Sequence, residues 1–257
     1  MLKTMKKTLY SLIMLMLCGL TAHAASFNNE TLHYVISYKW GMIHKDAGDA
    51  TLSLRQRGNH YEAVLAARTR PWADNFYQVR DTLLCTMNTM NLAPVSYHKI
   101  THEKGKHKRD VIAYTQARGI TKGDAVKYRK KDGIWTASRK TLTASGPVFD
   151  MLSIFYYLRT LDYEKLSKNH YVYKATVFSG SRSETISIRC LGKEKVKLRN
   201  KSSREAYKIR FNFTTDGGSK SSDDMDTWIS TDPSHIPLYL VGKLPVGEVR
   251  AYFMERS

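Results

Sequence analysis

The 257-residue chain is short of acid, of cysteine and of proline. Twenty-three aspartates and glutamates face 41 lysines and arginines, a net charge of +18. Three cysteines exclude a small disulfide-stapled fold, and six prolines with fifteen unperiodic glycines exclude a collagen. No apolar run beyond residue 20 is long enough to cross a bilayer. The nearest, Met151 to Leu158, covers about two helical turns. No Gly-x-Ser-x-Gly, His-Glu-x-x-His or glycine-rich phosphate loop occurs, and no helix-turn-helix or RNA-binding signature does either. What is present is ordinary: 42% hydrophobic and 25% charged residues, enough apolar material for the core of one large β domain.

The first residues read as an address. Lys3, Lys6 and Lys7 precede the apolar run Leu9–Leu20, and Ala22-His23-Ala24 supplies the small residues of a cleavage site. Cleavage after Ala24 would leave 233 residues with a net charge of +15, soluble in a bacterial periplasm and without a transmembrane segment. Lipidation of Cys18 is disfavoured because Leu17 stands where a small residue is needed. Residues 25–257 then read as a single β-rich domain.

Period-two alternation dominates that domain. Leu32, Tyr34, Ile36, Tyr38 and Trp40 are spaced to share one face of a strand, and Ala50, Leu52 and Leu54 return beside them. Further strands are expected at 60–68, 79–86, 95–102, 107–116, 124–130 and 134–142, with Glu103-Lys104-Gly105-Lys106 and Lys131-Asp132-Gly133 as turns. Later, Tyr171, Tyr173, Ala175 and Val177 alternate with polar residues. So do Ile186, Ile188 and Cys190, and likewise Tyr207, Ile209, Phe211 and Phe213. One segment, 150–161, has helical character and is apolar nearly all round, which predicts burial, with Asp150 as its N-cap. The expected fold is mainly β: a large, curved, half-barrel or barrel-like antiparallel sheet packed on one apolar helix.

Several of these segments, in order, resemble the bacterial domain-of-unknown-function 3108 family. They are Leu32–Gly41, Ala47–Leu52, Val79-Arg80-Asp81, Asp150–Ser153, Tyr156–Arg159, Trp228–Asp232, Ile236-Pro237-Leu238 and Gly247–Ala251. The resemblance covers nearly all of the mature chain. It implies an envelope protein rich in antiparallel β structure and carries no catalytic residues with it. At the level of fold alone the pattern is also similar to half-barrel carriers of lipoproteins in the periplasm, from which function does not follow.

The candidate sites weigh as follows. Lys195, Lys197, Arg199, Lys208 and Arg210 project to one side of a sheet, and Lys99, Lys104, Lys106, Lys108 and Arg109 crowd one hairpin. Such a field would attract anionic envelope components, or it would simply be a solvated face. Tyr34, Tyr38, Trp40, Tyr171, Tyr173 and Phe155 would line an inner ligand groove or pack as core. Arg159, the one charge in the apolar helix, is expected to pair with Asp81 or Asp232. Cys85 and Cys190 would bridge in an oxidising compartment or serve as two small buried hydrophobes. His98 and His102 lie about 13 Å apart on a strand, too far to share a metal ion. The aspartates 216, 223, 224 and 226 lack the spacing of a calcium loop. Neither a metal nor a cofactor is expected, and no acid, base or nucleophile set emerges. The reading is a non-catalytic periplasmic protein that binds or carries an apolar, lipid-like ligand. The alternatives are an interaction protein using a basic face on an anionic envelope polymer and, last, a glycan-acting enzyme.

Overall fold

The computed structural model describes residues 27–103, 106–215, 218–219, 222–243 and 247–257 of the chain. The expected leader, with Cys18, and the turn residues Lys104, Asp216 and Gly217 lie outside these. The strands are β1 (Glu30–Trp40), β2 (Ile43–Arg57), β3 (His60–Thr69), β4 (Val79–Asn88), β5 (Pro94–Glu103), β6 (Lys106–Ala117), β7 (Ile120–Lys131) and β8 (Ile134–Ser145). They continue with β9 (Val148–Phe149), β10 (Val172–Ser179), β11 (Arg182–Lys197), β12 (Ser203–Thr215), β13 (Met225–Ser230), β14 (Pro237–Lys243) and β15 (Glu248–Arg256). All belong to one sheet in the order β8-β7-β6-β5-β4-β3-β2-β1-β15-β14-β13-β12-β11-β10-β9.

That order contains its own closure. The two edges, β8 and β9, are consecutive in the chain and joined only by Gly146 and Pro147. So short a link holds the end of β8 next to β9, so the sheet curls into a nearly closed barrel at that end. Phe178 of β10 seals the seam: it is fully buried and stacks with Tyr114 at 6.0 Å. It lies over Gly123 of β7, where a Cβ would come within 2.7 Å of its ring. Gly123 is therefore required by the close approach of a second layer. At the opposite end the seam is open. Residues 134–141 of β8 are exposed on both faces, and the hairpin that begins them turns on Asp132 (φ 50°) and Gly133 (φ 80°), the left-handed pair of a tight two-residue turn.

Three short helices accompany the sheet: α1 (Pro71–Tyr77), α2 (Ser153–Leu158) and α3 (Tyr163–Lys168). The single helix expected over 150–161 is thus shorter than its apolar pattern, and the chain forms two further helices. Proline at the first position starts α1, and the Asp162 carboxylate caps α3 by accepting from Lys165 N at 2.9 Å. The all-round apolarity of α2 has a direct cause. Leu152 and Tyr156 join one core cluster with Leu32, Leu54, Met87, Tyr97 and Ile112. Ile154 and Leu158 join a second with Val177, Ile186, Ile188 and Ile209. The helix lies between the two halves of the sheet and is consumed by both.

Burial along β1 does not follow strict alternation. β2 carries an extra residue opposite Ile36/Ser37, and β15 carries one opposite His33/Tyr34. The extra residues lie in the partner strands, so β1 itself keeps its two-residue period. Ser37 is fully buried and donates to Asp46 Oδ1 at 2.6 Å, whereas Trp40 faces solvent. The row Leu32 to Trp40 therefore differs in burial along its length, from Leu32 in the core to Trp40 in water.

Candidate functional site

The concave feature nearest the seam is a cleft of about 440 Å³ at the closed end of the barrel. Turns build it: the β4–β5 loop brings Met90 and Leu92, the β6–β7 turn brings Arg118 and Ile120, and the β8–β9 link brings Val148 and Phe149. Tyr157 of α2 forms the floor, held at 4.5 Å from Phe149 and 5.6 Å from Tyr173. Met90 and Ile120 are exposed, so the mouth of the cleft is largely apolar, while Asn91, Gln116, Thr121 and Thr160 add polar groups to the lining. Among the described residues lining it, Arg118 is the one charge. A mostly apolar lining with one cation and a few neutral polar groups suits an apolar ligand with an acidic or polar end.

Deeper in the barrel, the Asp150-Met151-Leu152-Ser153 segment makes a buried capping arrangement. Asp150 Oδ1 accepts from Leu152 N at 2.7 Å and Ser153 N at 2.9 Å, and Asp150 N donates to Ser153 Oγ at 2.9 Å. The other oxygen, Oδ2, accepts from the Cys85 thiol at 3.0 Å. Burial pushes the Asp150 carboxyl upward, opposed by these hydrogen bonds. Burial first, and then the Asp150 charge, push the Cys85 thiol well above its ordinary value. A thiol so disposed is a hydrogen-bond donor, not a nucleophile. Near this carboxyl the hydroxyls of Tyr97 and Tyr114 are buried without a hydrogen-bond partner among the described residues, as is that of Tyr156, which sits nearer Arg159 and Glu30. Burial raises the pKa of each.

The expected sites fall apart in informative ways. Cys85 and Cys190 are free thiols in different core clusters, so no disulfide joins them. Both are buried, and burial raises both. Alkylation of the folded protein at mildly alkaline pH should therefore leave both unlabelled, and labelling should appear only in denaturant. Rapid native labelling of Cys85 would contradict the Asp150 contact.

Arg159 pairs with neither Asp81 nor Asp232. Its guanidinium meets Glu30 through two nitrogens, Nη2 lying 3.3 Å from Oε2, and its Nε donates to the Ser234 carbonyl at 3.0 Å. Asp232 instead accepts from Ser234 N at 2.9 Å, shaping the turn between β13 and β14.

Of the proposed inner lining, Trp40 and Tyr171 are exposed, and Tyr34 packs on Phe253 and donates to the Pro237 carbonyl at 3.1 Å. Tyr38 approaches Gly247, and Phe155 packs on Tyr156 at 5.6 Å. Tyr173 reaches the cleft only through Tyr157. None of the six lines the cleft itself.

The basic face is largely paired. Arg210 makes a two-point contact with Asp226 at 2.7 and 2.8 Å, Lys208 lies 3.4 Å from Glu194, and Arg199 bridges to Asp46 from beyond the end of β11. Lys208 and Arg199 also cap the two ends of an aromatic stack, Trp228–Tyr239–Tyr252, at 5.0 Å each. Lys195 and Lys197 are exposed on β11. On the other hairpin, Lys106 and Arg109 are exposed, and His102 faces His107 at 4.6 Å.

Residues 33–254 match the family model described as "Protein of unknown function (DUF3108)". The chain belongs to this family. The segments that carry the DUF3108 resemblance thus acquire structural roles, Asp150–Ser153 as the buried cap and Trp228 as one end of the aromatic stack. No curated protein matches the chain. Among solved structures it is similar to a beta-barrel-like protein of domain of unknown function DUF1849 from Brucella abortus. The two share 11% identity and a TM-score of 0.59 over 89% of this chain and 97% of that one. At that identity the likeness concerns the fold alone.

Proposed function

We propose that this DUF3108 protein is a non-catalytic binding or carrier protein of the bacterial cell envelope, exported to the periplasm, which holds an apolar, lipid-like ligand in the cleft at the closed end of its barrel. The cleft carries this reading. Its volume of about 440 Å³ lies within the usual range of small-molecule sites, and its mouth exposes Met90 and Ile120. Arg118 would meet the acidic or polar end of such a ligand.

Mass spectrometry of organic extracts from protein purified without detergent tests the reading. A stoichiometric apolar molecule is the expected result, and Ala117→Trp should displace it by filling the cleft from an exposed position. An empty protein, or one whose ligand survives Ala117→Trp, would refute it.

A second reading rests on a different observation. Residues 95–145 carry thirteen lysines and arginines against four acids, a net +9 on about a fifth of the chain. That concentration favours an anionic envelope partner, met through β5–β8 instead of the ion-paired surface of β11–β12.

A further inference from the structure

The meander places the β1–β2 turn, the α1 segment between β3 and β4, the β5–β6 turn and the β7–β8 turn at the same end of the sheet, opposite the cleft. Six of the thirteen exposed large apolar side chains among the described residues gather at these turns: Trp40, Met42, Ile43, Phe76, Ile134 and Trp135. Each is at least half exposed. A soluble surface scatters such groups singly, so six on the turns of one end call for a partner.

The charge beside them states what kind. Lys106, Lys108 and Arg109 open β6 and Arg129, Lys130 and Lys131 close β7 at this end, with Arg129 paired to Asp110 and Asp132 in the turn. Cross-strand pairing sets Lys131 opposite Ile134 and Lys130 opposite Trp135, so cations and apolar groups alternate across one hairpin tip. The first eight residues of β8 are exposed on both faces, leaving the tip free to enter a surface instead of lying on the barrel. Lys39 and Lys45 flank the second apolar tip, Trp40–Ile43, and Lys45 lies 4.4 Å above the ring of Trp72 in α1. Tryptophan and aliphatic side chains ringed by lysine and arginine match the interface of a bilayer. There the rings settle at headgroup depth and each cation near an anionic surface adds attraction. A nucleic acid or a soluble acidic polymer would use the cations and leave Met42, Ile43 and Ile134 in water.

We propose that this end of the barrel is a membrane-docking surface for an anionic phospholipid bilayer, entered by the β7–β8 and β1–β2 tips. The proposal names the partner for the second reading above and rests on it, not on the ligand cleft.

Co-sedimentation of the mature chain with vesicles tests it. The protein should bind vesicles of phosphatidylcholine mixed with phosphatidylglycerol, bind phosphatidylcholine alone far more weakly, and be released by salt. Lys130→Glu with Lys131→Glu should weaken binding by about tenfold or more. Ile134→Ser with Trp135→Ser should also weaken it, while Lys195→Glu with Lys197→Glu, an equal charge change on β11, should not. All six positions are exposed, so thermal melting should be unchanged. Equal loss in the β11 variant, or indifference to Ile134 and Trp135, would overturn the docking surface. Capture by soluble heparin without vesicle binding would overturn it too, while leaving the second reading standing.

Discussion

Arg159→Met should destabilise the protein by about 3–5 kcal/mol, the usual consequence of removing one member of a buried ion pair. Against a typical domain stability of about 5–15 kcal/mol this threatens folding itself. The side chains of Arg159 and Glu30 are 1% and 6% exposed, so water cannot take over the solvation of whichever charge remains. The guanidinium is also held from three directions. Glu30 at the start of β1 accepts from it, the Ser234 carbonyl between β13 and β14 accepts from Nε, and the rings of Phe27 and Tyr156 lie 4.9 and 5.6 Å from it. The pair thus ties the C-terminal end of α2 to strands at the junction of the two sheet halves. Replacing both residues, Glu30→Met with Arg159→Met, should recover most of the loss, because no unpaired charge is then left buried. Denaturant midpoints of the single and double variants measure the difference. A single variant within about 1 kcal/mol of the parent would mean that the pair is hydrated and carries no such role.

Why the partner of Arg159 was misplaced shows where sequence reasoning stops. Its burial was legible, because no other charge interrupts Met151–Leu161. The partner was not, since Glu30 lies 129 residues away at a strand terminus where an acid looks solvent-exposed. Strand pattern was read well wherever one face is buried, as in β10–β12 and β5–β7, because alternation is enforced by the core. It misled in β1 on burial, where the off-row Ser37 is fully buried against Asp46 and Trp40 at the strand's end is exposed. The antiparallel sheet and its buried helical segment were therefore foreseen, and the burial of Ser37 and exposure of Trp40 were not. α1 was missed because its seven residues are too few for a 3.6-residue period to show. The cleft was out of reach for a related reason. Met90, Arg118, Ile120 and Val148 come from three turns that only the meeting of β8 and β9 brings together. The Asp150 cap was legible as a cap. Its fourth hydrogen bond, from Cys85, was not, because it spans 65 residues.

That fourth bond makes Asp150 the second position of large effect. Asp150→Ala removes the acceptor of two backbone amides and of the Cys85 thiol together. A lost cap costs about 1 kcal/mol and buried donors left unpaired cost about 1–3 kcal/mol, so a loss of about 2–4 kcal/mol is expected. Asp150→Asn should cost less than about 1 kcal/mol, since its carbonyl still accepts from Leu152 and Ser153 and it resembles the protonated acid. The pH dependence separates the two roles. Burial raises the Asp150 pKa in the fold above its ordinary 3.8. The native state therefore holds this proton more tightly than the unfolded chain does. The contribution from the site is full below about pH 4 and is lost as pH rises through the folded value. Asp49 and Asp74, each held low first by an arginine hydrogen bond, act in the opposite sense and lose their contribution as pH falls. The informative quantity is accordingly the difference between the parent and Asp150→Asn. The Asn variant lacks the Asp150 titration, so its stability relative to the parent should grow as pH rises from about 4 and then level off. Cys85, Tyr97 and Tyr114, which face the same carboxyl, are all pushed upward and titrate above this window. A parallel pair of stability curves would show that Asp150 stays ionised in the fold as freely as in water. The buried carboxyl would then owe its place to the three hydrogen bonds it accepts alone.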